Sequence, residues 1–160
     1  MKRLPLLSFP IAKLKVVKTD SGDLKVYDRL RKKFVSLTPE EWIRQNFVDW
    51  LINEKSYPES RIGNEIEINL NETRKRCDTL VYGIDFQPLM LVEYKAPDVE
   101  ITQNTFDQIV RYNMKLKAKY LVVTNGLKLY CCVIDYKNSS YNFIPRIPDF
   151  KEATLSVGEN

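Results

Sequence analysis

Two charged residues interrupt an apolar run, Leu89-Met90-Leu91-Val92-Glu93-Tyr94-Lys95, whose pattern is that of a central β-strand. Charges in such a strand are costly unless each is paired or bound to an ion. Glu93 and Lys95 are two residues apart, so they share one face of the strand while Tyr94 takes the other. Asp78 lies in the preceding strand-like segment, Cys77–Tyr82, and a hairpin through the turn-rich stretch 83–88 would bring it opposite Glu93. Two carboxylates and an ammonium at one end of a sheet suit phosphodiester hydrolysis. Mg²⁺ takes hard oxygen ligands and keeps several waters, so Asp78, Glu93 and the Tyr94 backbone carbonyl would suffice, with Mn²⁺ as a substitute. A metal there polarises a phosphoryl oxygen and acidifies water. Lys95 would orient or deprotonate that water, or stabilise the anionic transition state, and its residue type does not choose among these roles. The competing reading makes Glu93 and Lys95 a structural ion pair and Asp78 a turn cap.

Composition narrows the chemistry further. None of the 160 residues is histidine, which removes Ser-His and Cys-His hydrolysis, zincin-type sites and nucleases with a histidine base. There is no phosphate-loop motif and no G-x-G-x-x-G among only five glycines, so no ATP or dinucleotide site is expected. Lys and Arg outnumber Asp and Glu by 25 to 21, and the net charge of +4 is compatible with a polyanionic partner without requiring one. Cys77 and the adjacent Cys131 and Cys132 form an odd set that suits a reduced, cytoplasmic protein. No apolar stretch approaches the ~20 residues of a membrane span. Pro5 and Pro10 break the apolar N-terminal run, which therefore reads as mature protein.

The elements that would position the site follow from periodicity. Residues 13–36 alternate apolar and charged positions around Asp20-Ser21-Gly22-Asp23, predicting a two-stranded ribbon. Thr38 as N-cap, Pro39 in the first turn and Glu41 as the far half of a capping box open a helix that carries Ile43, Phe47, Trp50 and Leu51 as its apolar stripe. Ile62–Leu70 and Cys77–Tyr82 read as strands joined by the polar insert NETRKR, and Leu89–Lys95 as a third. A helix from Thr102 to about Lys117 precedes strands Tyr120–Thr124 and Leu129–Ile134, which flank an Asn125-Gly126 turn. The expectation is one domain over 1–160: an N-terminal ribbon (1–36), a core (37–136) and an irregular tail (137–160).

The segment RCDTLVYGIDFQPLMLVEYKAPDVEITQNTFDQIVRYNMKLKAKYLVVTNGLKLYCCVID resembles the N-terminal nuclease domain of type I restriction enzyme R subunits, of the PD-(D/E)XK superfamily and the short stand-alone form. TPEEWIRQNFVDWLINEKSYP resembles that family's first helix, and the likeness spans roughly residues 24–136. The resemblance implies a restriction-endonuclease-like α/β (α+β) fold, with a central mixed sheet flanked by helices and an N-terminal β-hairpin. It matches Asp78, Glu93 and Lys95 to the catalytic motif, and Gln108 and Tyr112 to the accompanying Q-x-x-x-Y motif. Their i, i+4 spacing puts the last two on one helix face. In this superfamily a first-helix acid often assists the metal; Glu40 is the candidate by periodicity, with Glu41 as rival. Arg74, Lys75, Arg76 and the lysines of 115–119 could follow a phosphate backbone. R subunits also carry an ATP-driven translocase, for which these 160 residues hold no phosphate loop. The expected function is a Mg²⁺-dependent endonuclease acting on DNA, with RNA left open, partnered by other restriction-modification subunits or a second copy. The alternative is a non-catalytic nucleic-acid-binding or assembly module that retains the fold.

Overall fold

The computed structural model describes residues 4–70 and 72–155. Alternating residues near the N-terminus build a small antiparallel sheet, β1 (Val16–Lys18), β2 (Leu24–Asp28) and β3 (Lys33–Ser36). It has three strands where a two-stranded ribbon is expected. A second turn after Asp28 returns the chain, because both Asp28 carboxylate oxygens are used to fold it: Oδ1 accepts the Leu30 and Arg31 N–H groups at 2.7 and 2.9 Å, and Oδ2 takes the Arg31 side chain.

Helix α1 (Pro39–Asn53) starts as its sequence dictates, with the Thr38 hydroxyl accepting the Glu41 N–H at 3.0 Å. The reciprocal half of the capping box is absent, since the Glu41 carboxylate turns to Arg31, Arg44 and Gln45 instead. Strands β4 (Ile62–Leu70), β5 (Thr73–Tyr82), β6 (Pro88–Tyr94), β7 (Tyr120–Thr124), β8 (Leu129–Asp135) and β9 (Ser140–Ile144) form one six-stranded sheet in chain order. Every neighbouring pair is antiparallel except β6 and β7, which run parallel because helix α2 (Gln103–Leu116) carries the chain back between them. The fold is therefore mixed α+β, as expected, with helices on both faces of a mixed sheet.

Each face has its own core. On one, Ile43, Phe47 and Leu51 of α1 pack on Met90, Val92, Tyr94 and Val122. On the other, Phe106, Ile109 and Leu116 of α2 pack on Leu80, Leu91, Leu121 and Val123. Burial of such side chains contributes about 1.5–3 kcal/mol each, which is what clamps β5 and β6 between the two helices. The Asn125-Gly126 turn carries Gly126 at φ +97°, and its Cα lies against Ile43 of α1, where a Cβ would sit 3.2 Å from that side chain.

Two expectations need correction. The polar insert between the first and second core strands is largely strand: Arg74, Lys75 and Arg76 pair with Asn69, Ile68 and Glu67 of β4. The stretch 137–149, expected as loop within an irregular tail, contains β9 on the sheet edge, and α3 (Phe150–Thr154) follows it. The rest of the predicted tail, 156–160, lies outside the described residues. Among the described residues no helix is long and apolar enough to cross a membrane.

Candidate active site

The β5–β6 ladder sets the geometry of the site. It runs Tyr82↔Pro88, Val81↔Met90, Leu80↔Leu91, Thr79↔Val92 and then stops, so Asp78 and Glu93 are the next pair in register, just where the strands part. Beyond this point β5 pairs with β4 alone, and the β4–β5 hairpin continues as an arm. The β4–β5 ladder also skips one pair, Glu65 with Asp78, between Asn64↔Thr79 and Ile66↔Cys77. Glu65 has φ +56°, a left-handed conformation rare for a non-glycine residue within a strand. As a result the alternation of side chains breaks. Thr79 reaches the α1 side, where its hydroxyl lies 2.9 Å from Tyr94 OH, while Cys77 packs on the α2 side.

Asp78 closes the fork. Its Oδ2 accepts the Tyr94 backbone N–H at 2.9 Å, so one carboxylate oxygen replaces the ladder that ends there. The Tyr94 side chain is committed elsewhere, its hydroxyl to Thr79 and its ring edge-on to Phe47 at 6.1 Å, which leaves only its backbone for the site. Glu93 faces Asp78 with Oε1 fully buried and without a hydrogen-bond partner among the described residues. Burial first, then the negative charge of Asp78 and a hydrogen bond between the two carboxyls, push the Glu93 carboxyl up to about 8, against the opposing charges of Lys75 and Lys95. Two carboxyls held together, one of them with an unanswered buried oxygen, make a place for a hard cation. Asp78, Glu93 and the Tyr94 carbonyl fit Mg²⁺ in donor type, and the remaining positions fall to water or substrate. Among the described residues no group of three or more His, Cys, Asp or Glu side chains is arranged to hold a metal.

Lys95 follows β6 directly, anchored by its backbone N–H to the Thr124 carbonyl at 2.8 Å, and its charge acts on Glu93. Gln108 and Tyr112 lie on α2 beneath the arm, the first exposed and the second half-buried. Tyr112 OH meets Cys77 Sγ at 3.7 Å, which ties α2 to the residue beside Asp78. Lys75 Nζ stands 3.2 Å from the centre of the Tyr112 ring and also acts on Glu93. Thr73, Lys75, Gln108, Arg111, Tyr112 and Lys115 line a cavity of about 390 Å³ between arm and helix. Of the 115–119 lysines only Lys115 lines this groove; Lys119 donates to the carbonyls of Ala153 and Leu155 at 3.1 and 2.9 Å.

The first-helix acids separate cleanly. Glu41 is 6 % exposed and has both carboxylate oxygens engaged, Oε1 by Arg31 and Gln45 and Oε2 by Arg44. Glu40 is exposed at the mouth of a cleft of about 170 Å³ that Asp78, Glu65 and Arg44 also line. Periodicity placed Glu40 on the buried stripe; instead the helix buries Glu41, Arg44 and Gln45 as well as its apolar residues, because the chain covers it on more than one side. Arg44 and Glu65 were not singled out in the sequence. The available signals were an arginine one step from Ile43 in a buried helix, and a glutamate in a strand with unsettled alternation, IGNEIEINL.

Over residues 39–148 the sequence matches the family of the type I restriction enzyme R protein N terminus (HSDR_N). The chain belongs to that family. Among solved structures, a fragment of a protein described as an HsdR subunit of a type I restriction enzyme from Vibrio vulnificus YJ016 shares the HSDR_N fold, with a TM-score of 0.50 and 20% sequence identity. The match covers 73% of this chain and 25% of that one, so the HSDR_N chain described here spans about a quarter of that structure's length. No curated protein matches it.

Proposed function

We propose that this chain is a Mg²⁺-dependent deoxyribonuclease of the PD-(D/E)XK kind, hydrolysing phosphodiester bonds at Asp78, Glu93 and Lys95. The observation that carries this reading is the buried Glu93 Oε1, without a hydrogen-bond partner among the described residues, beside Asp78 at the end of the β5–β6 ladder. A structural pair would have both carboxylates answered; this one is completed by a divalent cation. When bound, the metal supplies Lewis-acid polarisation of the phosphoryl oxygen and more acidic water.

The chain's own residues supply the rest. The Tyr94 N–H fixes the orientation of Asp78, while Glu93 holds a proton until a cation displaces it. Hydrolysis joins a water oxygen to phosphorus and breaks the P–O ester bond, and Lys95 beside Glu93 is placed to balance the charge that develops. Lys75, Arg111 and Lys115 take part in none of the ion pairs among the described residues, so the groove they line is free to hold a phosphate backbone leading to Glu93. Gln108 and Tyr112 support that strand and the site. DNA is the substrate favoured by membership in a restriction-enzyme family, with other restriction-modification subunits or a second copy as partners, in the cytoplasm.

The same groove favours a second reading, a nucleic-acid-binding module without catalysis, because its cations do not depend on the carboxyl pair. Incubation of supercoiled plasmid, linear duplex and single-stranded DNA or RNA with Mg²⁺ or Mn²⁺ separates the two. Cleavage abolished by chelator and by Lys95→Ala supports the nuclease; metal-independent binding without cleavage by folded protein supports the module.

A further inference from the structure

Asp78 is held from behind as well as from the front. Arg44 of α1 is buried, and its Nη1 donates to the Asp78 backbone carbonyl at 3.2 Å and to Glu65 Oε1 at 2.6 Å, while Nη2 is gripped by Glu41. Glu65 is the left-handed residue facing Asp78 across the skipped pair of the β4–β5 ladder. A guanidinium presents several donors in a fixed planar fork, so it can bind a strand carbonyl and a carboxylate on the neighbouring strand at once. Strained backbone persists only where its surroundings over-determine it. Here the surroundings are Arg44, whose own position is fixed by Glu41 and, through Glu41, by Arg31 and Asp28 of the β2–β3 turn.

We propose that Arg44 and Glu65 form a positioning latch for Asp78: Arg44 holds the bend that the left-handed Glu65 creates, and the bend aims the Asp78 carboxylate at the Tyr94 N–H and at Glu93. Neither residue touches the reacting atoms. The chemical consequence rests on the reading of Asp78 and Glu93 as the metal-binding pair, whereas the geometric one does not. Without the bend the alternation of β5 would run on unbroken, and Cys77 and Thr79 could not reach opposite cores on either side of Asp78.

The test compares wild type with Arg44→Met, Arg44→Lys, Glu65→Gly and Glu65→Val, each checked for folding by circular dichroism and thermal melting. The first readout is hydrogen exchange of the Tyr94 amide in metal-free protein, with the Leu121 and Val122 amides of β7 as internal references. The second is Mn²⁺ binding followed by electron paramagnetic resonance. Arg44→Met should speed Tyr94 exchange and weaken Mn²⁺ binding, each by about tenfold or more, with the β7 amides unchanged. Arg44→Lys, which keeps one donor, should recover part of both. Glu65→Gly accepts positive φ but loses the carboxylate that Arg44 holds and should fall between wild type and Arg44→Met, whereas Glu65→Val, which also resists that conformation, should behave like Arg44→Met. If Arg44→Met proves unfolded, the contrast between the two Glu65 variants decides the matter. Equal Tyr94 protection in wild type and in folded Arg44 and Glu65→Val variants would overturn the latch. A latch that responds as described in a protein that binds no Mn²⁺ would uphold the positioning and sink the metal site instead.

Discussion

Two groups of acids, the buried Asp28 with Glu41 and the half-buried Asp78 with Glu93, are joined through Arg44 and are treated in opposite ways. On the α1 side, Asp28 and Glu41 are buried and all four of their carboxylate oxygens are met, by Arg31, Arg44, Gln45, Asn64 and two backbone N–H groups. At the end of the β5–β6 ladder, Asp78 and Glu93 face each other, and one buried oxygen of Glu93 has no hydrogen-bond partner among the described residues. The fold thus has the means to neutralise buried acids and does not apply them at the second place. Accordingly, the hydrogen bonds of Arg31 and Asn64 hold the Asp28 carboxyl below its ordinary range despite burial, whereas burial and a like charge push Glu93 up to about 8. A network whose carboxylate oxygens are all answered holds shape, and the second pair is the one proposed to take a cation.

The largest expected effect comes from breaking the saturated group. Glu41→Gln takes from both Arg31 and Arg44 one of their two carboxylates and should cost about 3–5 kcal/mol of stability, measured by urea unfolding. A loss below about 1 kcal/mol would mean that this network is not structural. Next is Lys95→Ala, which should cut DNA cleavage by about 10²–10³-fold with stability and Mn²⁺ binding little changed, read from plasmid nicking and calorimetry.

The third effect sharpens the contrast through pH. Because the folded Glu93 carboxyl keeps its proton up to about 8, the native state binds more protons than the unfolded chain between the ordinary carboxylate range and that value. Its contribution to stability is therefore fully present at acid pH and is lost as pH rises through this window. Glu93→Gln should accordingly match wild type near about pH 4 and exceed it by about 1–3 kcal/mol at about pH 9 in metal-free buffer. Saturating Mg²⁺ should narrow the gap, since the cation stabilises only the ionised wild type. Equal melting profiles of the two proteins across pH would show that Glu93 carries no burial cost. The smallest effects belong to the groove: Lys75→Ala, Arg111→Ala and Lys115→Ala should each weaken DNA binding a few-fold and lower the salt slope by about 0.7–0.9, measured by fluorescence anisotropy across a salt series.

Local patterns made much of this readable in the sequence. Thr38-Pro39 marks the start of α1, the apolar run before Glu93 marks β6, and Tyr120–Thr124 is found as expected. Short-range signals failed where a long-range partner decides. Arg74-Lys75-Arg76 looks like a connector because nothing in its own pattern is apolar on one face, yet pairing with β4 makes it strand. Ser140–Ile144 carries turn-forming residues and becomes strand through pairing with β8 and packing of Tyr141 and Phe143 on Phe106 of α2. Glu93 and Lys95 were legible because two charges in an apolar strand demand a reason, and the hairpin order brings Asp78 opposite Glu93. Arg44 and Glu65 were not, because their importance lies in one left-handed residue that no spacing rule announces.

The most direct test of the unsaturated pair is Mn²⁺ titration of wild type, Asp78→Asn and Glu93→Gln, paired with plasmid cleavage by the same samples. Mn²⁺ binding and cleavage by wild type, both lost in the two folded variants, is the predicted result. Wild-type protein that is folded, binds no Mn²⁺ and leaves every DNA form intact would contradict it.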